Sequence, residues 1–114
     1  MKLLVFVLNK VSLLDKFLHN LLEKQIKGAT IIESEGMARK LIEHEDFDLF
    51  GSLRVLLDKP REDSRVIFIV LEEEKVKDVL DVIDELIDLE EPNSGIVFTL
   101  PLDYVKGYNK KVGK

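Results

Sequence analysis

The sequence predicts an α+β fold in which two helices lie on one face of a four-stranded sheet. Two apolar runs carry the prediction, Leu3-Leu4-Val5-Phe6-Val7-Leu8 and Val66-Ile67-Phe68-Ile69-Val70-Leu71, each leading into a stretch with apolar residues at helical spacing. A weaker strand signal follows each of those stretches. Neither apolar run alternates. Successive side chains of a strand point to opposite faces, so a strand with water on one side alternates apolar and polar residues. These two strands therefore expect cover on both faces. One helix layer covers one face. In a chain of 114 residues, the expected cover for the other is a further copy of the chain itself.

The first strand spans Lys2 to Leu8. The apolar run before Asn9-Lys10 is too short for the core of a signal peptide, which favours a strand. Ser12 is expected to cap the first helix, with Asp15 three residues on in the manner of a capping box. Leu14, Phe17, Leu18, Leu21, Leu22 and Ile26 form its apolar stripe. Lys24 and Lys27 are expected in its last turn, where cations suit the helix dipole. Gly28 is expected to end it. Ala29 to Ser34 reads as a second strand, mixed in polarity and so at an edge. The third strand runs from Arg65 to Leu71. Glu72, Glu73 and Glu74 then suit a helix N-terminus, and Val76, Val79, Leu80, Ile83, Leu86 and Ile87 supply the stripe of the second helix. Glu90-Glu91-Pro92-Asn93-Ser94-Gly95 is a turn. Ile96 to Leu100 is a fourth strand, stopped by Pro101.

This order is two strand–helix–strand halves, the ferredoxin-like βαββαβ sandwich. In that topology the first and third strands are central, and those are the two runs without alternation. The whole chain, 1–114, is expected to be one domain. Residues 108–114, rich in lysine, are expected to fray.

Composition excludes several function classes. Apolar residues at 46% suffice for a core, and 34% charged residues fit a soluble globular protein. The net charge of −5 argues against duplex nucleic acid, whose binding needs a basic face. There is no cysteine, which removes disulfides, thiolate metal sites and thiol nucleophiles and fits a cytoplasmic protein. Nothing approaches the length of a membrane-spanning segment, so direct membrane insertion is not expected.

The connection between strands two and three, residues 35–64, is the functional clue. Hairpin loops are usually about 2–5 residues, and this one is roughly 30. It is not a polar spacer: it carries Phe47, Leu49, Phe50, Leu53, Val55, Leu56 and Leu57. Disordered segments are poor in such residues. Residues 36–42 fit a short helix at its start. The apolar side chains serve either packing within an oligomer or a partner-binding surface, because long loops often carry function. Phe47, Leu49, Phe50 and Arg54 are the candidate partner contacts.

The chain resembles the PII signalling superfamily, the trimeric regulators of nitrogen and carbon metabolism. The resemblance runs from Lys2 to about Gly107. It rests on the strand–helix order, on Gly28 after helix one, and on Glu35-Gly36-Met37-Ala38-Arg39 entering the long connection. It rests also on Val66 to Leu71 and on Asn93-Ser94-Gly95 before Ile96-Val97-Phe98-Thr99-Leu100-Pro101. It implies a homotrimer, a long effector-docking loop (the T-loop) at 35–64, and a phosphate-cradling turn before the last strand. It also implies a ligand held between subunits where these two loops meet.

Carried over residue by residue, Gly36 and Arg39 match the family pattern. Ala38 stands where the family has a glycine, and Lys40 where it has a glutamine. Asn93-Ser94-Gly95-Ile96 replaces a Gly-Asp-Gly-Lys type sequence, so only Gly95 is kept and the phosphate-binding lysine is absent. The family's C-terminal arginines are also absent; Gly107 and Asn109 lie near their places, with Lys106 close by. The cofactor-binding candidates are thus Gly36, Arg39, Lys40, Asn93, Ser94, Gly95 and Lys106. Adenine nucleotide is a weak expectation, and the ligand is unnamed. The resemblance further implies a non-enzymatic regulator whose partner is a transporter or a metabolic enzyme.

Other chemistry is thin. His19 is alone on helix one. His44 lies among Glu43, Glu45 and Asp46, an oxygen and imidazole set open to a divalent ion, though a solvated charged loop explains it more simply. A trimeric metal-responsive protein of the CutA type, which shares this architecture, is the alternative that such a site would support. A pure protein-interaction module without ligand is another. No serine lies in a nucleophile elbow. Asp81, Asp84 and Glu85 read as a solvated helical face, because a catalytic acid pair needs burial to separate its pKa values. An acylphosphatase-like enzyme would need a phosphate loop after strand one, and Asn9-Lys10-Val11-Ser12 lacks its glycine and arginine. The third strand lacks the exposed aromatics of an RNA-binding sheet.

Overall fold

The computed structural model describes residues 1–37 and 63–108. The described elements are β1 (Lys2–Leu8), a 3-10 turn (Val11–Leu13), α1 (Leu14–Glu23), β2 (Thr30–Ser34), β3 (Ser64–Leu71), α2 (Glu73–Leu86) and β4 (Gly95–Pro101). The strands form one antiparallel sheet in the order β2-β3-β1-β4. That is an α+β fold compatible with the ferredoxin-like arrangement, with β1 and β3 central. The strand bounds fall within one residue of those read from the sequence.

The core lies between the sheet and the helices. Leu4, Phe6 and Leu8 of β1 and Ile67, Ile69 and Leu71 of β3 are buried there with Phe17, Leu21 and Ile26. Val79, Val82, Ile83 and Ile87 close it from α2. The Phe6 and Phe17 rings meet with centroids 5.1 Å apart and planes at 60°, a tilted geometry favoured by the ring quadrupoles. Val82 was not in the sequence-derived stripe and is buried. Leu22 was placed in the stripe of the first helix and is exposed.

The opposite face of the sheet is apolar across its width. In β1 it consists of Leu3, Val5 and Val7, which pair with Val70, Phe68 and Val66 of β3 and with Leu100, Phe98 and Ile96 of β4. Directly opposed residues share a face. Ile32 of β2 continues the row beside Val66. Val5 is buried, but Ile32, Val70, Ile96, Phe98 and Leu100 are exposed. No described helix covers this face. The absence of alternation in β1 and β3 thus corresponds to two apolar faces, of which the described helices cover one.

The ends of α1 differ from the expectation. Ser12 does not cap it. The chain already coils at Val11, with Leu13 N–H donating to the Lys10 carbonyl at 2.9 Å, and neither helical entry has a side-chain cap bond. Ser12 sits inside that turn, where its hydroxyl no longer has the extended backbone of a cap position.

At the other end, α1 stops at Glu23, before Lys24 and Lys27, and Gly28 is not its terminator. Gln25 takes φ +63°. Its N–H bonds the Leu22 carbonyl at 2.9 Å, and Ile26 N–H bonds the Leu21 carbonyl at 3.0 Å. This is a Schellman closure with glutamine in the left-handed position. The buried pair Leu21 and Ile26 supplies its usual apolar contact, which favours the stop here over one at Gly28.

The solvated face of α2 is as expected. Lys77 Nζ donates to Asp81 Oδ2 at 3.0 Å. That hydrogen bond, and then the Asp81 charge, hold the Lys77 pKa above its ordinary value. Asp81 therefore serves a surface i,i+4 pair.

Candidate functional site

The strand pairing brings several loops to one end of the sheet. Glu33 pairs with Arg65, Arg65 with Leu8, and Leu8 with Gly95, so these four form one row across the sheet. Beyond this row lie the exit of β2 toward Gly36, the entry to β3, the Asn9-Lys10 turn and the turn before β4.

The root of the 35–64 connection is held on both faces of the β2–β3 pair. Ser34 Oγ and Ser64 Oγ are 2.9 Å apart on one face. On the other, Arg65 Nη2 lies 3.6 Å from Glu33 Oε1, and Arg65 Nη1 donates to the Ser64 carbonyl at 3.2 Å. Ser64 is buried. Strand pairing thus continues to the last residue of β2, and the connection leaves from a closed rung.

At the opposite edge, the turn before β4 is organised from within. Ser94 is buried, and its Oγ donates to the Glu91 carbonyl at 2.8 Å. The Ser94 carbonyl accepts Asn9 N–H at 3.3 Å. Asn93 has φ +63° and Gly95 φ +151°. A Cβ on Gly95 would collide with the Val7 carbonyl oxygen, so glycine is required by both conformation and close approach. Lys10 Nζ lies 3.7 Å from Glu91 Oε2, and the Asp88 carboxylate accepts Glu90 N–H at 3.0 Å. Asp88, Glu90 and Glu91 surround the turn with negative charge, of which Lys10 offsets part. Like charge raises the energy of an anion here.

The sequence-derived candidates fall in different places. Asn93, Ser94 and Gly95 are together in this turn. Gly36 lies at the same end but at the β2 edge. Three strand spacings, about 14–15 Å, separate the two edges within one chain. Lys106 follows β4 at the far end of the sheet, where Pro101 pairs with Lys2 and Leu102 N–H bonds the Met1 carbonyl at 3.1 Å. It is exposed. Arg39, Lys40, His44, Phe47, Leu49, Phe50 and Arg54 lie outside the described residues, as does the short helix expected over 36–42 beyond its first two positions. His19 Nε2 is 3.2 Å from Glu23 Oε1 on the exposed side of α1.

The Ser34–Ser64 and Lys10–Glu91 pairs were missed from sequence. Both join residues far apart in the chain, and only the sheet register places them together. Among the described residues no group of three His, Asp or Glu side chains is placed to hold a metal ion. Among them, too, no helix is long and apolar enough to cross a membrane. No family model matches the chain, and no curated protein matches it in sequence.

Proposed function

We propose that this chain is a non-enzymatic regulatory protein of the PII-like kind. Three copies assemble through the open face of the sheet. A small ligand binds between subunits, and the 35–64 connection engages a partner protein, a transporter or a metabolic enzyme.

The observation that carries this reading is the open apolar face. Leaving a large apolar side chain in water forfeits about 1.5–3 kcal/mol each, and contiguous apolar patches on monomers are rarely large. Self-association removes that cost. The long connection begins and ends at a closed rung, Ser34 with Ser64 and Glu33 with Arg65. Gly36 and Asn93 to Gly95 share one end of the sheet, so subunits set side by side bring one copy's connection to the next copy's turn. Arg39 and Lys40, with backbone N–H groups of that turn, would favour a small anion. The number three and the class of partner come from the resemblance alone.

Native mass spectrometry of protein purified from cells tests this reading in one measurement. The expected spectrum shows three copies with a small molecule retained. A single-copy mass at micromolar concentration would overturn both the burial argument and the regulator.

A further inference from the structure

We propose that the Ser34–Ser64 and Glu33–Arg65 pairs are a register lock on β2, and that releasing it slides the strand by one residue, to Ile32 opposite Ile67 and Ile31 opposite Phe68. This rests on the regulator proposed above, in which it is the change of state at the root of the 35–64 connection.

A strand with one apolar face is held in register by that face, because a slip of one residue turns every side chain to the other side. β2 lacks this restraint. Its sequence is Thr-Ile-Ile-Glu-Ser, with isoleucines at adjacent positions and so on opposite faces. Ile31 stands opposite Ile67 on the helix side, and Ile32 opposite Val66 on the other. They are 40% and 44% exposed, so the two sides hold them about equally. After the slip an isoleucine still faces Ile67, and an isoleucine still lies on the far side, now opposite Phe68. The backbone ladder discriminates no better. A slip exchanges the hydrogen-bonded and non-hydrogen-bonded rungs of an antiparallel pair.

The chain on either side of β2 permits the movement. Ile26 is buried at the closure of α1, and residues 27–29 between it and β2 have neither helix nor strand. A Cβ on Gly28 would meet nothing within 4 Å. One residue, about 3.3 Å of strand, moves into this segment. On the other side, the closure entropy of a connection of roughly 30 residues hardly changes with one residue fewer. Among the described strands β2 pairs with β3 alone, so the slip breaks no other described ladder.

What distinguishes the two registers is polar. In the one observed, Ser34 Oγ is 2.9 Å from Ser64 Oγ, and Arg65 Nη2 is 3.6 Å from Glu33 Oε1. The slip separates both pairs. It sets Ser34 opposite Arg65, Glu33 opposite Val66 on the apolar side, and Glu35 opposite Ser64. Surface ion pairs are weak, which suits a lock that opens. Opening it draws the root of the connection one residue into the sheet and turns its first residues to the opposite face.

The chain has no cysteine, so introduced pairs report the register without background. Ile32→Cys with Val66→Cys is directly opposed in the observed register. Ile31→Cys with Phe68→Cys is directly opposed only after the slip; before it the two side chains point to opposite faces, and a disulfide does not span them. Each pair is oxidised in the parent chain and in the chain carrying Glu33→Gln with Ser34→Ala. In the parent, the 31–68 pair should close to less than about a tenth of the extent of the 32–66 pair, as for a minor state. Without the lock, its yield should rise about tenfold. A yield that does not change, or that already equals the 32–66 yield in the parent, would overturn the lock. Methyl cross-peaks in NMR spectra of the cysteine-free Glu33→Gln, Ser34→Ala chain read the same outcome if the cysteines prevent folding. Ile32 against Ile67 supports the slip, and Ile31 against Ile67 alone overturns it. Both readouts lie within one chain. A monomeric parent that shows the switch overturns the regulator and keeps the lock, whereas an assembled chain with a single register overturns the lock and keeps the regulator.

Discussion

Phe98 stands directly opposite Val5 across the β1–β4 pair, and Val5 is 6% exposed while Phe98 is 46% exposed. The apolar face is buried at its centre and exposed toward the β4 edge. A charge at Phe98 should therefore act on assembly more than on the single chain. Phe98→Glu is expected to give a folded monomer, because a carboxylate in an apolar contact is desolvated without a partner. Sedimentation velocity reads the mass, and circular dichroism the fold. A variant that still assembles would show that the contact lies elsewhere.

Gly95 is tested by its one missing carbon. Alanine there must displace the Val7 carbonyl of a central strand and hold φ near +151°. Gly95→Ala is expected to destabilise the chain by about 2–3 kcal/mol. Urea denaturation measures it. A change below about 0.5 kcal/mol would mean that the turn can shift freely, and that its conformation is not set by β1.

Gln25 makes the opposite prediction. A side chain in the left-handed region costs roughly 1 kcal/mol that glycine avoids. Gln25→Gly should raise stability by about 0.5–1 kcal/mol by the same denaturation measurement. A loss of stability would show that the glutamine side chain makes a compensating contact.

These two residues also mark what was legible from sequence. The strands were legible because β1 and β3 carry apolar runs and β4 is bounded by Gly95 and Pro101. Both helices were legible from their stripes. The end of α1 was not, because a glycine at 28 signals a stop more strongly than a glutamine at 25. The contact between Leu21 and Ile26 decides it, and that is a matter of packing. Ser12 carried a cap signal that the preceding turn pre-empted. At the candidate site, Asn93 to Gly95 was legible as a turn. Its buried serine and acidic surround depend on how Asn9 and Lys10 fold back onto it, which no local pattern encodes.

The long connection has its own test. The Ser34–Ser64 hydroxyl pair and the Arg65–Glu33 ion pair close the rung beneath it, and shortening a loop changes its closure entropy only slowly. Deleting residues 46–59, which removes Phe47, Leu49, Phe50 and Arg54, should leave a folded oligomer and abolish capture of the partner from a lysate. An unfolded product at room temperature would make the apolar side chains of the connection structural.

ATP should bind weakly or not at all. Where the PII family that the sequence resembles has a phosphate-binding lysine this chain has Ile96, and that family's C-terminal arginines have no counterpart here. Each charge-assisted hydrogen bond lost removes about 1.5–3 kcal/mol. Two or three such losses weaken binding by several orders of magnitude. The carboxylates of Asp88, Glu90 and Glu91 around the turn act in the same direction, since a triphosphate brought there meets like charge. Isothermal titration of the assembled protein with ATP and ADP is the direct measurement. Dissociation constants above about 1 mM are expected, equivalent to less than about 4 kcal/mol of binding. Micromolar binding of either nucleotide would restore the ligand that the resemblance implies. If no metabolite anion binds and Arg39→Ala leaves partner capture unchanged, the assembly is an interaction module whose connection works without a ligand.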